Sequence, residues 1–402
     1  MTFTYTPSQE KAVHAIYDWF YGHGAANTPF TLGGYAGTGK STLIPHILKH
    51  LGIEPEETVI VTYTGRAVGD LEKKAILSGS PLQYAQFSTI HGLIYRPSTR
   101  VVDKLDENGN VIIDPITKQP EQETKLVFQN KRVKNKRYIR LIIVDESYMV
   151  PNRMIHDLIK IGVAILKVGD PGQLPPVEES TLLPSPDARL TDIVRQAADN
   201  KIIEIAWDAL YQRPIYKGIH GKNREVKVVD EIGFNQLNIN GNVFKHADII
   251  LCGKNKTRHA LNKLIREVRG FTSLLPEPGD QLICLYNNKQ FEINSVPLSN
   301  GSLHTVEAIE HQQGDILYIR FTDGSMIPCD INTFGGSITD VDVSDTSVAY
   351  FDFGYAITVH KAQGGEWDNV VVFDESYIMR QMAHRWLYTA ITRAGKSLIL
   401  VQ

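Results

Sequence analysis

The sequence predicts an α/β protein of two tandem domains, each a mostly parallel sheet wrapped by helices and each carrying a small β-rich insertion. Three observations predict it. The chain has 402 residues, and a single core rarely grows past about 250–300 residues. Runs such as Leu141-Ile142-Ile143-Val144 are continuously apolar, as strands buried on both faces should be, and they alternate with helix-length segments. That alternation breaks twice, at about 95–138 and about 276–350, where strand and turn signals replace it.

The elements follow in order. A helix is expected from Pro7 to Phe20, with Thr6 as N-cap and Pro7 at the first helical position. Strand Phe30–Leu32 runs into a glycine-rich loop, and helix Lys40–Leu51 follows it. Strand Val59–Thr62, helix Arg66–Leu77 and strands Leu141–Val144 and Ile165–Val168 complete the first pattern. Within its insertion, Asn108-Gly109 lies between Val101–Leu105 and Val111–Ile113, a strong short-range hairpin signal. The second pattern starts near Leu190, with strands Ile249–Cys252, Ala356–Val359, Val370–Phe373 and Leu398–Val401 and helices Lys256–Val268 and Gln381–Thr392. Its insertion holds the runs Gln281–Leu285, His304–Ile309 and Ile316–Phe321 and a turn at Asp323-Gly324, which predict a small β-barrel. The expected division is 1–94 with 139–185, insertion 95–138, then 186–275 with 351–402, and insertion 276–350.

Composition is ordinary for a soluble globular chain, 42% hydrophobic and 22% charged. No apolar stretch approaches the roughly 20 residues that span a bilayer, and no signal-peptide pattern opens the chain. Cys252, Cys284 and Cys329 are too far apart and too few for a zinc site or a disulfide framework. A reducing, cytoplasmic compartment is the expectation. Net charge is −3, so any nucleic-acid contact must come from charge distribution rather than from the sum. The segment 131–140 holds six basic residues and no acidic one; it fits either a solvated loop or a contact with phosphates.

The loop Gly34-Tyr35-Ala36-Gly37-Thr38-Gly39-Lys40-Ser41 has the spacing G-x-x-x-x-G-K-[ST] between a strand and a helix. Glycines let backbone N–H groups turn inward on phosphate oxygens, and the helix N-terminus adds partial positive charge. Gly37, Thr38, Gly39, Lys40, Ser41 and Thr42 are therefore candidate ATP-binding residues. Lys40 would reach the β- and γ-phosphates and Ser41 would ligate Mg²⁺. Asp145 and Glu146 stand at the end of a buried strand. Asp145 is a candidate Mg²⁺ ligand, and Glu146 is placed to polarise the attacking water. After the next strand, Gln173 could hydrogen-bond the γ-phosphate or that water.

With these three elements in this order, the chain resembles the superfamily 1 helicases, most closely the 1B branch of RecD-like and phage Dda-like proteins. The resemblance covers most of the chain. Gln9, in Thr6-Pro7-Ser8-Gln9, resembles the adenine-reading glutamine of that family. Thr62-Tyr63-Thr64-Gly65-Arg66-Ala67 and Phe87-Ser88-Thr89-Ile90-His91 resemble two DNA-contacting motifs. Leu190-Thr191-Asp192-Ile193-Val194-Arg195-Gln196 resembles motif IV, Val359-His360-Lys361-Ala362-Gln363-Gly364-Gly365-Glu366 motif V, and Tyr388-Thr389-Ala390-Ile391-Thr392-Arg393-Ala394 motif VI.

The resemblance implies two RecA-like P-loop domains in tandem that sandwich ATP, with a pin-type insertion in the first and a Src-homology-3-type barrel in the second. It makes Arg195 and Arg393 candidate γ-phosphate arginines, a role worth about 10³–10⁵ in rate. Gly364 and Glu366 join the nucleotide site. Thr64, Gly65, Arg66, Thr89, His91, Lys256, Thr358, His360 and Lys361 become candidate nucleic-acid contacts. The hairpin tip Asp106-Glu107-Asn108-Gly109-Asn110 is acidic, so an aromatic cap on the pin would come from elsewhere, for instance Phe128. The implied activity is an ATP-dependent DNA helicase moving 5′ to 3′ as a monomer, in replication, recombination or repair in a bacterial or phage-infected cytoplasm. The implied partners are single-stranded DNA, forked or tailed duplex, and single-stranded-DNA-binding or replisome proteins, with no membrane. The alternatives are a translocase without processive unwinding and an RNA helicase.

Overall fold

A computed structural model describes residues 3–22, 24–104, 111–113, 117–131, 133, 136–176, 185–194, 200–294, 296–335 and 346–402. The first domain is built on six parallel strands in the order Gln86–Thr89, Thr58–Thr62, Leu141–Val144, Ala164–Gly169, Phe30–Gly34, Ala188–Leu190. Leu141–Val144 is buried throughout, in keeping with its unbroken apolar run. Helix Pro7–Tyr21 opens with the capping box that Thr6 and Gln9 form, and it buries Ala12, Val13 and Ile16.

Strand Ala188–Leu190 corrects the expected boundary at 186. It pairs with Phe30–Gly34, so it completes the first sheet rather than opening the second. Three residues carry too little pattern to announce a strand, and tertiary pairing decides the assignment.

The second sheet runs Ala356–Thr358, Ile249–Cys252, Trp367–Phe373, Ala394–Val401, Val226–Val229, Gly218–His220, parallel except for the last pair. Val226–Val229 and Gly218–His220 extend the expected set. Helix Ala383–Ile391 buries Trp386, Leu387 and Tyr388.

The first insertion is a two-stranded ribbon, Tyr95–Asp103 against Gln122–Asn130, in register from Tyr95 with Asn130 to Asp103 with Gln122. Val101 therefore pairs with Thr124, and the expected contact with Val111–Ile113 is made beyond the ribbon's end, where Ile112 N donates to Lys104 O at 2.8 Å. Nine paired residues a side set the register of the ribbon itself. Asn108 and Gly109 lie outside the described residues, as does the side chain of Phe128.

The second insertion is an antiparallel sheet in the order Met326–Asp330, Ile316–Phe321, Leu303–Gln313, Gln281–Cys284, Phe351–Phe353. A bridge from Cys329 to Ala349 brings its two edges together, which gives the expected barrel. It extends past the expected end at 350, because Phe351–Phe353 is its fifth strand. A short hairpin, Asn288–Ile293 with Val296–Leu298, projects beside it. Among the described residues, no helix is long and apolar enough to cross a membrane.

Candidate active site and nucleic-acid interface

Strand Phe30–Gly34 delivers the glycine loop, and helix Lys40–Leu51 leaves it. Gly37 and Gly39 have φ of +81° and +79°, which L side chains rarely adopt. Lys40 Nζ donates to Gly34 O at 2.6 Å and Tyr35 O at 3.2 Å, and it lies 3.8 Å from Asp170 Oδ2. Gln9 is buried; its Oε1 accepts from Thr6 N at 3.0 Å, and its Nε2 donates to Thr38 O at 3.1 Å. Each amide atom keeps capacity for one more bond, so Gln9 can brace the loop and still meet a base edge.

Asp145 and Asp170 end neighbouring strands and are both buried. Burial, and then the charge of Glu146, raises the Asp145 carboxyl above the usual carboxylate range. Burial also raises Asp170, opposed by Lys40 and Tyr388. Glu146 sits at φ +50°, ψ +39°, a left-handed backbone that costs a non-glycine residue about 1–3 kcal/mol and clusters at functional sites. Gln173 is buried, and its Oε1 has no hydrogen-bond partner among the described residues. Two adjacent carboxylates beside the Ser41 hydroxyl, with one carboxyl under desolvation strain, form a donor set that a divalent cation would relieve.

These groups line a cleft of about 1180 Å³. Lys40, Ser41, Thr42, Asp145, Glu146 and Gln173 form its first-domain wall, and Gly364, Gly365, Glu366 and Arg393 form the other. Arg393 is buried, donating from Nε to Thr389 O and from Nη1 to Gly365 O, both at 3.0 Å, and from Nη2 to Thr392 Oγ1 at 3.1 Å. Glu366 pairs with Lys74 across the cleft mouth. Arg195 lies outside the described residues. The segment just before it reaches the site: Val194 N donates to Gly37 O at 2.9 Å, and Asp192 Oδ2 accepts from Ser8 N at 2.8 Å.

The candidate nucleic-acid residues gather at helix starts. Thr64 caps helix Gly65–Leu77, and Thr89 caps helix Ile90–Ile94. Thr358 precedes helix Val359–Ala362 with its hydroxyl free of capping duty. Burial lowers the pKa of His91, His360 and Lys361, so the two histidines would meet phosphate as neutral hydrogen-bond donors. Two candidates are placed otherwise than an open track requires. Arg66 packs over the Trp367 ring at 4.1 Å and donates to Gly301 O at 3.3 Å, so it joins the domains. A Cβ on Gly65 would meet Ser299 Oγ at 2.3 Å, so the barrel sits directly on this helix start. Lys256 is exposed, but Glu375 already fills the start of its helix, accepting from Gly253 N, Lys254 N and Thr257 Oγ1 at 2.7–2.9 Å.

Asp170 and Tyr388 are site residues that sequence reasoning passed over. Asp170 carries the signal that marked Asp145, an acid at the end of a buried strand. Tyr388 sits inside the motif that was read only for Arg393.

Two family models match. The one described as AAA domain covers residues 22–179, and the one described as UvrD-like helicase C-terminal domain covers 353–401. An ATP-dependent RecD2 DNA helicase of Deinococcus radiodurans is 28% identical over 277 residues, which is 63% of this chain and 35% of that protein. The chain thus spans about a third of that relative's length. Among solved structures, Bacteroides Pif1 bound to single-stranded DNA superposes with a TM-score of 0.52 at 16% identity, over 99% of this chain and 92% of that one. Bacteroides Pif1 helicase in complex with ADP-AlF3 and single-stranded DNA gives 0.50 at 17% identity over the same shares. These two likenesses concern the fold. Together with the two matching domain families and the RecD2 relative, they agree with the resemblance to superfamily 1B, RecD-like helicases that the ordered motifs carry.

Proposed function

We propose that the chain is an ATP-driven DNA helicase that moves 5′ to 3′ on single-stranded DNA and opens tailed or forked duplex. The observation that carries this reading is the two-walled cleft. Lys40, Asp145 and Glu146 stand on one domain and Arg393 on the other, so hydrolysis would depend on how the domains meet. In the mechanism, Lys40 leaves the loop carbonyls for the β- and γ-phosphates. Ser41 and Asp145 would hold Mg²⁺, which neutralises phosphate charge. Glu146 takes the proton of the attacking water, and the free Gln173 Oε1 accepts that water's second hydrogen. Arg393 turns from Gly365 O to the charge developing on the γ-phosphate. Thr64, Thr89 and Thr358 hydroxyls and the neutral His91 and His360 hold phosphates without reading bases. The polarity and the working monomer come from the family resemblance.

The acidic sequence Asp106-Glu107 within the first insertion favours a second reading, translocation without processive strand separation. An unwinding assay on 5′- and 3′-tailed duplexes, made as DNA and as RNA, separates these cases. The expected outcome is ATP-dependent opening of the 5′-tailed DNA alone. ATPase stimulated by single-stranded DNA without opening would leave the translocase, and preference for the RNA substrate would overturn DNA.

A further inference from the structure

Among the described residues, Trp207 and Tyr388 of the second domain hydrogen-bond the phosphate loop at Ala36 and engage both polar groups of its backbone. Tyr388 Oη accepts from Ala36 N at 2.7 Å, and Trp207 Nε1 donates to Ala36 O at 3.3 Å. The directions are forced, since an amide N–H and an indole N–H can only donate. Tyr388 must therefore send its own proton elsewhere, and it donates to Asp170 Oδ2 at 2.6 Å. Tyr388 has no exposed surface, so water cannot replace either partner. The Tyr35 and Trp207 rings pack edge to face at 5.2 Å and seal the contact.

The Tyr35 carbonyl and the Ala36 N–H belong to one rigid peptide plane. Lys40 Nζ holds that plane at its carbonyl end, and Tyr388 holds it at its N–H end. Thr38 also holds the Tyr35 carbonyl, from Oγ1 at 2.8 Å and from N at 3.3 Å, so a phosphate that draws Lys40 away leaves the plane held by the loop itself at its carbonyl end and by the second domain at its N–H end. Arg393 follows Tyr388 by five residues in the same chain segment, so a movement that shifts one carries the other. Resting on the reading above as an ATPase, we propose that Tyr388 and Trp207 are positioning residues. They grip the two peptides that flank the Ala36 Cα from the second domain and so fix the register in which Lys40 and Arg393 meet the γ-phosphate. This goes beyond the arginine finger, because it assigns the coupling to the backbone of the loop rather than to the phosphate.

Tyr388→Phe keeps the ring and deletes both hydrogen bonds; Trp207→Phe deletes one. Each variant and the double variant would be measured for kcat of ATP hydrolysis with saturating oligo(dT), for affinity toward a fluorescent ADP analogue, and for thermal unfolding. We expect Tyr388→Phe to lower kcat at least tenfold with ADP affinity within about threefold of wild type. Trp207→Phe should lower kcat less, and the double variant should fall no further than Tyr388→Phe, because both side chains serve one residue, Ala36. Unchanged kcat in Tyr388→Phe, or losses of kcat that multiply independently, would overturn the grip while leaving the ATPase reading intact. Losses of kcat, affinity and melting temperature in step would also overturn it, in favour of a merely structural role. A wild-type chain that does not hydrolyse ATP overturns both.

Discussion

Lys40 and Arg393 are each held by neighbours that a bound nucleotide would have to replace. Lys40 rests on two loop carbonyls and Arg393 on two carbonyls of its own domain. Glu146 differs, because its charge also bears on Asp145. Replacing it by Gln removes the base and at the same time eases the repulsion that raises the Asp145 carboxyl. Glu146→Gln should therefore lower kcat by about 10²–10³ while ATP affinity stays equal or tightens, as single-turnover hydrolysis and nucleotide titration would show. Normal hydrolysis would mean that another group positions the water. Lys40 was legible in the sequence because its role depends on a contiguous eight-residue spacing. Tyr388 and Trp207 were not, because nothing local to either residue announces a partner some 170 to 350 positions away.

Among the elements, the join between barrel and second domain carries a buried ion pair. Arg266, on helix Asn255–Arg269, meets Asp280 through Nε at 3.0 Å and Nη2 at 2.9 Å, and Tyr355 donates to the same carboxylate at 2.9 Å. Asp280 has no exposed surface. Asp280→Ala leaves a buried guanidinium with the more distant Glu277 carboxylate, 3.6 Å away, in place of its direct partner, which should cost about 3 kcal/mol. Urea unfolding would read this as a lowered midpoint; a shift under about 1 kcal/mol would show that the pair is not needed at this join. Strands with strong apolar runs, such as Leu141–Val144 and Ile249–Cys252, were legible because burial on both faces writes itself into composition. The ribbon's register and strand Ala188–Leu190 were not, since each is set by a partner distant in sequence.

The whole molecule shields its thiols. Cys252, Cys284 and Cys329 are all buried, and burial pushes the Cys252 and Cys284 thiols up to about 12, which leaves almost no thiolate to react. A disulfide reagent should find less than one fast-reacting thiol in the native protein and three after denaturation. A rapid native thiol would mean that the barrel opens on that timescale. The two-domain plan and both insertions were readable from the interrupted α/β alternation. How the domains meet was not, because Arg66, which reads as a DNA contact, stacks on Trp367 across the divide.

The short strand Ala188–Leu190 also decides where the protein can be divided. It covers the free edge of Phe30–Gly34, the strand that carries the phosphate loop, and the residues after it bond to Ser8 and Gly37. A first half ending near 185 would lose that cover, exposing an unpaired edge beside the loop. For fragment complementation the separation belongs between Val194 and Asn200, so that the amino-terminal piece keeps all six strands and the carboxy-terminal piece begins with the helix that bears Trp207.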